Sequence, residues 1–127
     1  MLGYVPNELG DGAASAAVDE ARSRGASLVV VNTTRADRLV DPGYADDADM
    51  ARLEQTLRSS GVEYAVHHGT SKDTAAEDVL DAAEKSGAEL IVIGLRHRTP
   101  VGKLIIDSTA QTILLGARCN VLAVKLA

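Results

Sequence analysis

The chain has 127 residues, 46% hydrophobic and 24% charged, which is the length and composition of one globular domain and excludes a disordered or fibrous protein. Its net charge of −5 and scattered basic residues argue against a nucleic acid partner. Because no apolar run approaches the roughly 20 residues of a membrane span, a cytoplasmic protein with a single domain over residues 1–127 is expected.

The first third of the chain alternates between strand and helix patterns. Leu2 to Val5, closed by a proline, predicts a short first strand. Small apolar residues at three- and four-residue spacing then predict a helix that ends at Gly25. The β-branched run Leu28 to Val31 predicts a buried parallel strand. The turn residues within Thr34 to Tyr44 predict a loop.

The second helix and third strand follow. The acidic stretch Asp46 to Asp49 lies where the second helix should begin, and its charges complement the helix dipole. That helix is predicted to end at Gly61. The alternation within Val62 to Val66 predicts a strand near a sheet edge. His67 and His68 should point to opposite faces, which favours surface roles over a metal site.

Two capping patterns precede the last two helices. A Thr-x-x-Glu spacing from Thr74 and a Ser-x-x-Gln spacing from Ser108 predict that these residues begin the third and fourth helices. The β-branched runs Leu90 to Ile93 and Val121 to Val124 predict two further parallel strands. Cys119 is the sole cysteine, so no intrachain disulfide can form, and it is expected to serve as a small apolar residue near a strand.

A unit of helix end, glycine and strand recurs at Ala21 to Asn32, Leu57 to His68 and Ala83 to Gly94. The resulting alternation of strands and helices is typical of a doubly wound α/β sheet. In such sheets, ligands bind beyond the carboxyl ends of the strands where the strand order reverses. The turns Val5-Pro6-Asn7 and Gly94-Leu95-Arg96 are therefore the candidate binding segments.

The segment GLRHRTPVGKLIIDSTAQTILL from Gly94 combines a strand-ending glycine, a basic loop and a capped helix start, which is suited to binding an anion. Together with the C-terminal pattern Cys-x-Val-Leu-x-Val from Cys119, this segment resembles the universal stress protein family. The resemblance covers nearly the whole chain. The resemblance implies a five-stranded parallel sheet in the order 3-2-1-4-5 with helices on both faces, the adenine nucleotide alpha hydrolase-like fold.

ATP-binding members of that family carry the motif Gly-x2-Gly-x9-Gly-Ser/Thr in this segment. On this chain the motif falls on Gly94, His97, Asp107 and Ser108. The first glycine and the serine match, whereas His97 and Asp107 replace glycines. Asp107 places a carboxylate where phosphates would lie, and like charges repel. We interpret Asp107 as a negative charge that the chain itself supplies to the helix start, in preference to a magnesium ligand.

The resemblance also implies the ligand and its contacts. The candidate cofactor is ATP or another adenine nucleotide, and the candidate binding residues are Val5, Pro6, Thr33, Gly94, Arg96, His97, Asp107, Ser108 and Thr109. Val5 stands where many ATP-binding members have an aspartate, and Thr33 stands where the family's backbone often meets the adenine. No catalytic or metal-ligating residue is predicted, because a catalytic triad requires a geometry that residues of one short loop do not provide.

The resemblance implies a stress-response protein that binds and signals without catalytic turnover. A nucleotide-independent module for protein interactions is the alternative. An ATP hydrolase is the weakest of the three hypotheses, because neither a Walker loop nor a Rossmann glycine fingerprint occurs. The last strand would leave an apolar edge in a monomer, and in the family this edge commonly pairs across a two-fold axis. A homodimer through Val121, Leu122 and Val124 is therefore expected.

Overall fold

Strands and helices alternate along the whole chain in the computed structural model, which describes residues 1–38, 40–95 and 106–125. In chain order the elements are β1 (Leu2–Gly3), α1 (Glu8–Arg24), β2 (Leu28–Arg35), α2 (Asp47–Ser60), β3 (Tyr64–Ser71), α3 (Ala75–Ser86), β4 (Leu90–Gly94), α4 (Ser108–Gly116) and β5 (Asn120–Val124). Two of the candidate binding residues, Arg96 and His97, lie outside the described residues. Within the described residues, no helix has the length and apolar character needed to cross a membrane.

The strands form one parallel sheet in the order β3-β2-β1-β4-β5, which confirms the predicted fold class. β3 and β5 are the edge strands, as their sequence patterns indicate. β1 lies in the centre and pairs with both neighbours, with Leu2 opposite Val30 on β2 and Val92 on β4. The strand order therefore reverses between β1 and β4, and this is the place where a doubly wound sheet opens toward ligands.

Three strand ends differ from their predicted positions. β1 ends at Gly3 instead of Val5, because the carbonyl of Val5 accepts a hydrogen bond from the Asn7 amide at 3.0 Å and the chain already turns toward α1. β2 continues to Arg35 and β3 to Ser71, where a loop and an earlier strand end were expected. The extension arises because these two strands stay paired to their last residues.

The sheet separates two apolar cores. α1 and α2 cover one face, and α3 and α4 cover the other. Alanines dominate the contact surface of α1, so the helix approaches the sheet closely, as the low aromatic content of the chain implies. The largest fully buried side chains are Leu2, Leu57, Ile91, Ile113, Val30 and Val92. Both cores lie below the carboxyl edge and hold the strand ends there in fixed positions.

Most helix ends follow the predicted local patterns. Gly25, Gly61 and Gly87 adopt left-handed conformations after α1, α2 and α3, as C-terminal caps require. Thr74 forms the predicted capping box with Glu77 at the start of α3. The acidic stretch before α2 forms a second capping box, in which Asp46 is the N-cap. Helix positions at the carboxyl edge are thus determined by hydrogen bonds as well as by packing.

Candidate functional site

The candidate site lies at the carboxyl edge of the sheet, where β1, β2 and β4 end and α1, α3 and α4 begin. Because all strands are parallel, the turn after β1 and the segment after β4 meet at this edge on either side of the point where the strand order reverses. The structure therefore brings together the two segments that the sequence predicts for ligand binding, as far as Leu95 on the second.

The turn after β1 is closely packed. Asn7 caps α1 by accepting a hydrogen bond from the Gly10 amide on its Oδ1 at 2.9 Å. A Cβ atom on Gly10 would lie 1.6 Å from the carbonyl oxygen of Val5, so a side chain cannot be accommodated there. Val5 and Pro6 are half-buried, and neither side chain has a polar atom to offer a nucleoside. This turn can therefore contact a ligand only through its backbone groups and its apolar surface.

Gly94 has a packing role of its own. A Cβ atom at this position would lie 2.9 Å from the carbonyl oxygen and 3.0 Å from the Cβ of Leu9, in the first turn of α1. The missing side chain thus lets α1 lie against the end of β4. The next residue, Leu95, is buried, and its amide donates to the carbonyl of Val124 at 2.8 Å. The match of Gly94 to the nucleotide motif therefore has a structural explanation that needs no ligand.

Asp107, and not Ser108, is the N-cap of α4. Its Oδ1 accepts a hydrogen bond from the Ala110 amide at 2.8 Å. The prediction that Ser108 caps this helix with Gln111 is wrong: Ser108 is the first helical residue, and the Gln111 side chain donates to the carbonyl of Ile106 at 3.2 Å. The N-cap lies one residue earlier than predicted, because Asp107 has the position and the carboxylate that an N-cap requires, and Ala110 three residues later leaves the cap without a reciprocal side-chain bond.

A polar cleft of about 510 Å³ lies beside this helix start, and we call it the arginine cleft. It is lined by Arg35, Asp37, Arg38, Asp41, Thr74, Ala75, Ala76, Ser108, Thr109 and Thr112. Ser108 and Thr109 are exposed residues of its α4 wall. The opposite wall includes Arg35 at the end of β2 and residues that follow it, which the sequence analysis did not assign to the site. The available signal was two arginines, Arg35 and Arg38, shortly after the β-branched run Leu28 to Val31.

Thr33 holds α3 to the sheet. Its hydroxyl donates to a carboxylate oxygen of Asp78, and the Ser71 hydroxyl donates to the other oxygen at 3.0 Å. The Thr33 side chain therefore points to the face covered by α3 and α4, where it lines a second cleft with Asp78. A contact between Thr33 and a ligand at the carboxyl edge would have to use its backbone.

Asn32 anchors the loop between β2 and α2 and was missed by the sequence analysis. It is 3% exposed, and its Nδ2 donates to the carbonyls of Tyr4 at 2.9 Å and Gly43 at 2.8 Å. Its Oδ1 accepts from the Ala45 amide at 2.9 Å. One side chain thus joins the ends of β1 and β2 to the loop above them. An asparagine that ends a β-branched run was the signal for this role.

Two more side chains hold the same loop. The Thr34 hydroxyl donates to Asp41 Oδ2 at 2.6 Å. His68 Nε2 lies 2.8 Å from the carbonyl oxygen of Ala45, and the imidazole stacks on the Tyr44 ring with 4.7 Å between centroids. His67 lines the second cleft on the other sheet face. The two histidines therefore point to opposite faces as predicted, and His68 supports the wall of the site.

A doubly wound parallel sheet with this strand order and a polar cleft at its carboxyl edge defines the adenine nucleotide alpha hydrolase-like class of α/β proteins. The model of the universal stress protein family matches residues 2–125, and the chain belongs to that family. A universal stress protein of Mycolicibacterium smegmatis is 39% identical over 125 residues, which cover 98% of this chain and 95% of the relative. One from Thermus aquaticus is 32% identical, with 98% and 96% covered.

Solved structures share the fold of this chain. A universal stress protein from Archaeoglobus fulgidus superposes with a TM-score of 0.72 at 28% identity, over 96% of this chain and 93% of that one. A structure from the same organism in complex with dAMP has a TM-score of 0.67 at 24% identity, with 96% and 92% covered. A universal stress protein in complex with cAMP has a TM-score of 0.70 at 17% identity, with 98% and 93% covered.

Proposed function

We propose that this member of the universal stress protein family binds an adenine nucleotide at the carboxyl edge of its sheet and acts in a stress response by binding and signalling. The observation that carries the proposal is the arginine cleft, whose polar walls stand at the edge where doubly wound sheets take ligands. Its volume of about 510 Å³ is within the range of small-molecule sites.

The fold supports this choice of ligand. The two neighbouring structures with bound dAMP and cAMP are those of other proteins, and at 24% and 17% identity they share only the fold with this chain. They support the proposal by placing adenine nucleotides in proteins built on the same sheet. They do not identify the residues of this chain that would bind the nucleotide.

In the proposed complex, the nucleoside lies over the turn at Val5 and Pro6 and meets the backbone of Thr33. The phosphates extend toward Ser108 and Thr109, whose hydroxyl groups can donate hydrogen bonds to oxygen anions. Gly94 keeps α1 against β4 and so positions the turn after β1. Arg96 and His97 belong to the same proposed site through the family motif.

The proposal is tested by calorimetry and thermal shift of the purified chain with ATP, ADP, AMP and adenosine, each with and without Mg²⁺. Saturable binding is expected, and a ligand at about 100 times its Kd should stabilise the folded state by about 2.7 kcal/mol. GTP and inorganic phosphate at the same concentrations are the controls for base recognition and for simple anion binding. The proposal would be refuted if none of the adenine ligands gave a binding heat or raised the unfolding temperature.

A nucleotide-independent interaction module is the second candidate function. Two observations favour it: Asp107 already supplies a negative charge to the start of α4, and Gly94 is explained by its contact with Leu9. In this alternative the carboxyl edge and the sheet edges contact a protein partner and the cleft stays without a nucleotide. Capture of a partner whose affinity is unaffected by ATP would support it.

In this proposal the protein is a cytoplasmic homodimer that acts without catalytic turnover. The catalytic alternative, ATP hydrolysis, would require release of phosphate from ATP above the rate of a protein-free blank. The dimer would form along β5, an edge strand whose Val121, Leu122 and Val124 are only half-buried in the single chain. Pairing two copies would satisfy the outward backbone groups of this edge and cover those side chains.

A further inference from the structure

We infer that Arg35 and Arg38 bind the phosphates of the proposed nucleotide from the β2 side of the arginine cleft, opposite the hydroxyl groups of Ser108 and Thr109. The inference rests on the proposed function and deepens it, because it assigns the guanidinium groups that hold the phosphates of the nucleotide.

The wall formed by α4 is a poor place for a phosphate. The carboxylate of Asp107 accepts the hydrogen bond of the Ala110 amide that a phosphate would otherwise receive. A phosphate close to this helix start would also meet a like charge, because Asp107 is the cap itself. The α4 wall therefore offers the exposed hydroxyl groups of Ser108 and Thr109 and no net positive charge among its described residues.

Arg35 on the opposite wall can exchange its partner at little cost. Its Nε lies 3.0 Å from Asp37 Oδ1, and the two side chains are 53% and 68% exposed. Ion pairs this exposed contribute little to stability, since water screens them and ordering two long side chains costs entropy. A phosphate offers the same guanidinium two oxygen acceptors in a bidentate arrangement and a larger negative charge.

Arg38 lies on the same wall and is only weakly engaged. Its Nε donates to the carbonyl oxygen of Val40 at 3.0 Å, a hydrogen bond that is exposed to water. Its Nη1 lies 3.7 Å from Asp41 Oδ1, a long ion pair. Asp41 is only 14% exposed and accepts hydrogen bonds from the Thr34 hydroxyl and the Gly43 amide, so its charge stays satisfied when Arg38 turns to a phosphate.

The carboxylate of Glu77, near the same wall, already has hydrogen-bond donors within the protein. Glu77 accepts hydrogen bonds from Thr74, and these bonds, with a smaller contribution from the charge of Arg35, lower the pKa of Glu77 below its usual value. Of the carboxylates around the cleft, Asp107, Asp41 and Glu77 thus accept hydrogen bonds from the protein itself. Asp37 is exposed and pairs with Arg35, and it can turn into solvent when a phosphate takes its place.

The test compares ATP with adenosine, which lacks the phosphates, on the wild-type chain and on R35Q, R38Q and the double variant. We expect each single substitution to weaken ATP binding about tenfold and the double substitution to weaken it further, with adenosine affinity changed less than twofold. R58Q is the matched control, because Arg58 is likewise exposed and paired with a carboxylate, but lies in the last turn of α2, far from this edge.

The outcomes separate the two proposals. Equal ATP affinity in the wild type and in the double variant would overturn the assignment of the arginines while leaving nucleotide binding in place. Equal losses for ATP and adenosine would also overturn it, because they would show damage to the whole cleft. Absence of ATP binding by the wild-type chain would overturn the proposed function and this inference together. Unchanged thermal unfolding without ligand verifies that each variant is folded.

Discussion

Asp107 and Ser108 are neighbours in the sequence but have different roles at the start of α4. The carboxylate of Asp107 caps the helix, whereas Ser108 stands in the first turn and lines the arginine cleft. An aspartate N-cap is stabilising because its charge complements the helix dipole. The same charge opposes a phosphate at that point, so helix stability and anion binding compete for one position.

Substitution of Asp107 by glycine should raise the affinity for ATP. The change removes the carboxylate that repels the phosphates and frees the Ala110 amide, while glycine at an N-cap costs only a few tenths of a kcal/mol relative to aspartate. D107N is the matched control, because it keeps a capping oxygen and removes only the charge. Calorimetry with ATP is the measurement, and a weaker or unchanged affinity in D107G would contradict the competition.

The residues of the site differ in how far the sequence could identify them. The family motif indicated Gly94 and Ser108, of which Ser108 lines the arginine cleft, and the capping pattern located the start of α4 to within one residue. Asn32, Arg35 and Arg38 could not be assigned, because their roles depend on how the loop after β2 folds back over the sheet. That path is determined by contacts between residues that no local pattern relates.

At the scale of elements, α3 has the most completely capped beginning. Thr74 accepts from the Glu77 amide at 3.2 Å, and Glu77 accepts from the Thr74 amide at 3.2 Å and from its hydroxyl at 2.8 Å. These hydrogen bonds lower the pKa of the Glu77 carboxyl. A folded-state pKa below the unfolded one stabilises the fold above the unfolded pKa, and this contribution is lost as the pH falls through the folded value.

Substitution of Thr74 by alanine should destabilise the chain by about 1 kcal/mol at neutral pH, because α3 loses its N-cap. The pKa of Glu77 should rise toward its usual value, and part of the stability difference from wild type should vanish as acid protonates Glu77. Urea unfolding across pH and NMR titration of Glu77 measure the two effects. T56A is the control, since Thr56 is exposed within α2 and caps nothing; an equal loss there would refute the capping explanation.

The elements themselves were predictable because their signals are local. Helix periodicity, the three capping glycines and the Thr74 box each depend on residues within a few positions of one another. Strand ends were less predictable: β2 and β3 each continue beyond the predicted end because they pair with one another as far as Arg35 and Ser71. Pairing of that kind belongs to the sheet and cannot be deduced from either segment alone.

At the scale of the whole molecule, the two edges of the sheet lead to different expectations. Both β3 and β5 expose backbone groups on their outer sides. β5 combines its edge with half-buried apolar side chains and lies next in the chain to α4, where Leu115 is 88% exposed. β3 carries exposed polar residues toward its end instead. Self-association is therefore expected at β5.

Substitution of Ala123 by proline should convert the proposed dimer into monomers. The amide of Val124 faces β4 in this parallel ladder, so the amide of Ala123 faces outward, and proline removes it. Light scattering coupled to size exclusion should change from twice the chain mass of 13.3 kDa to that mass. T70P, which alters an outward amide on β3, is the control and should remain dimeric. A dimer that survives A123P would exclude β5 as the interface.

Residue pairing is uneven across the sheet. β2 and β3 are joined by eight residue pairs and β4 and β5 by five, whereas β1 pairs with β2 through Leu2 and Gly3 and with β4 through Leu2. Backbone hydrogen bonds at Met1 and Tyr4 add to this central connection. A ligand bound across the ends of β1 and β4, as proposed, would form a further connection between the two halves of the sheet.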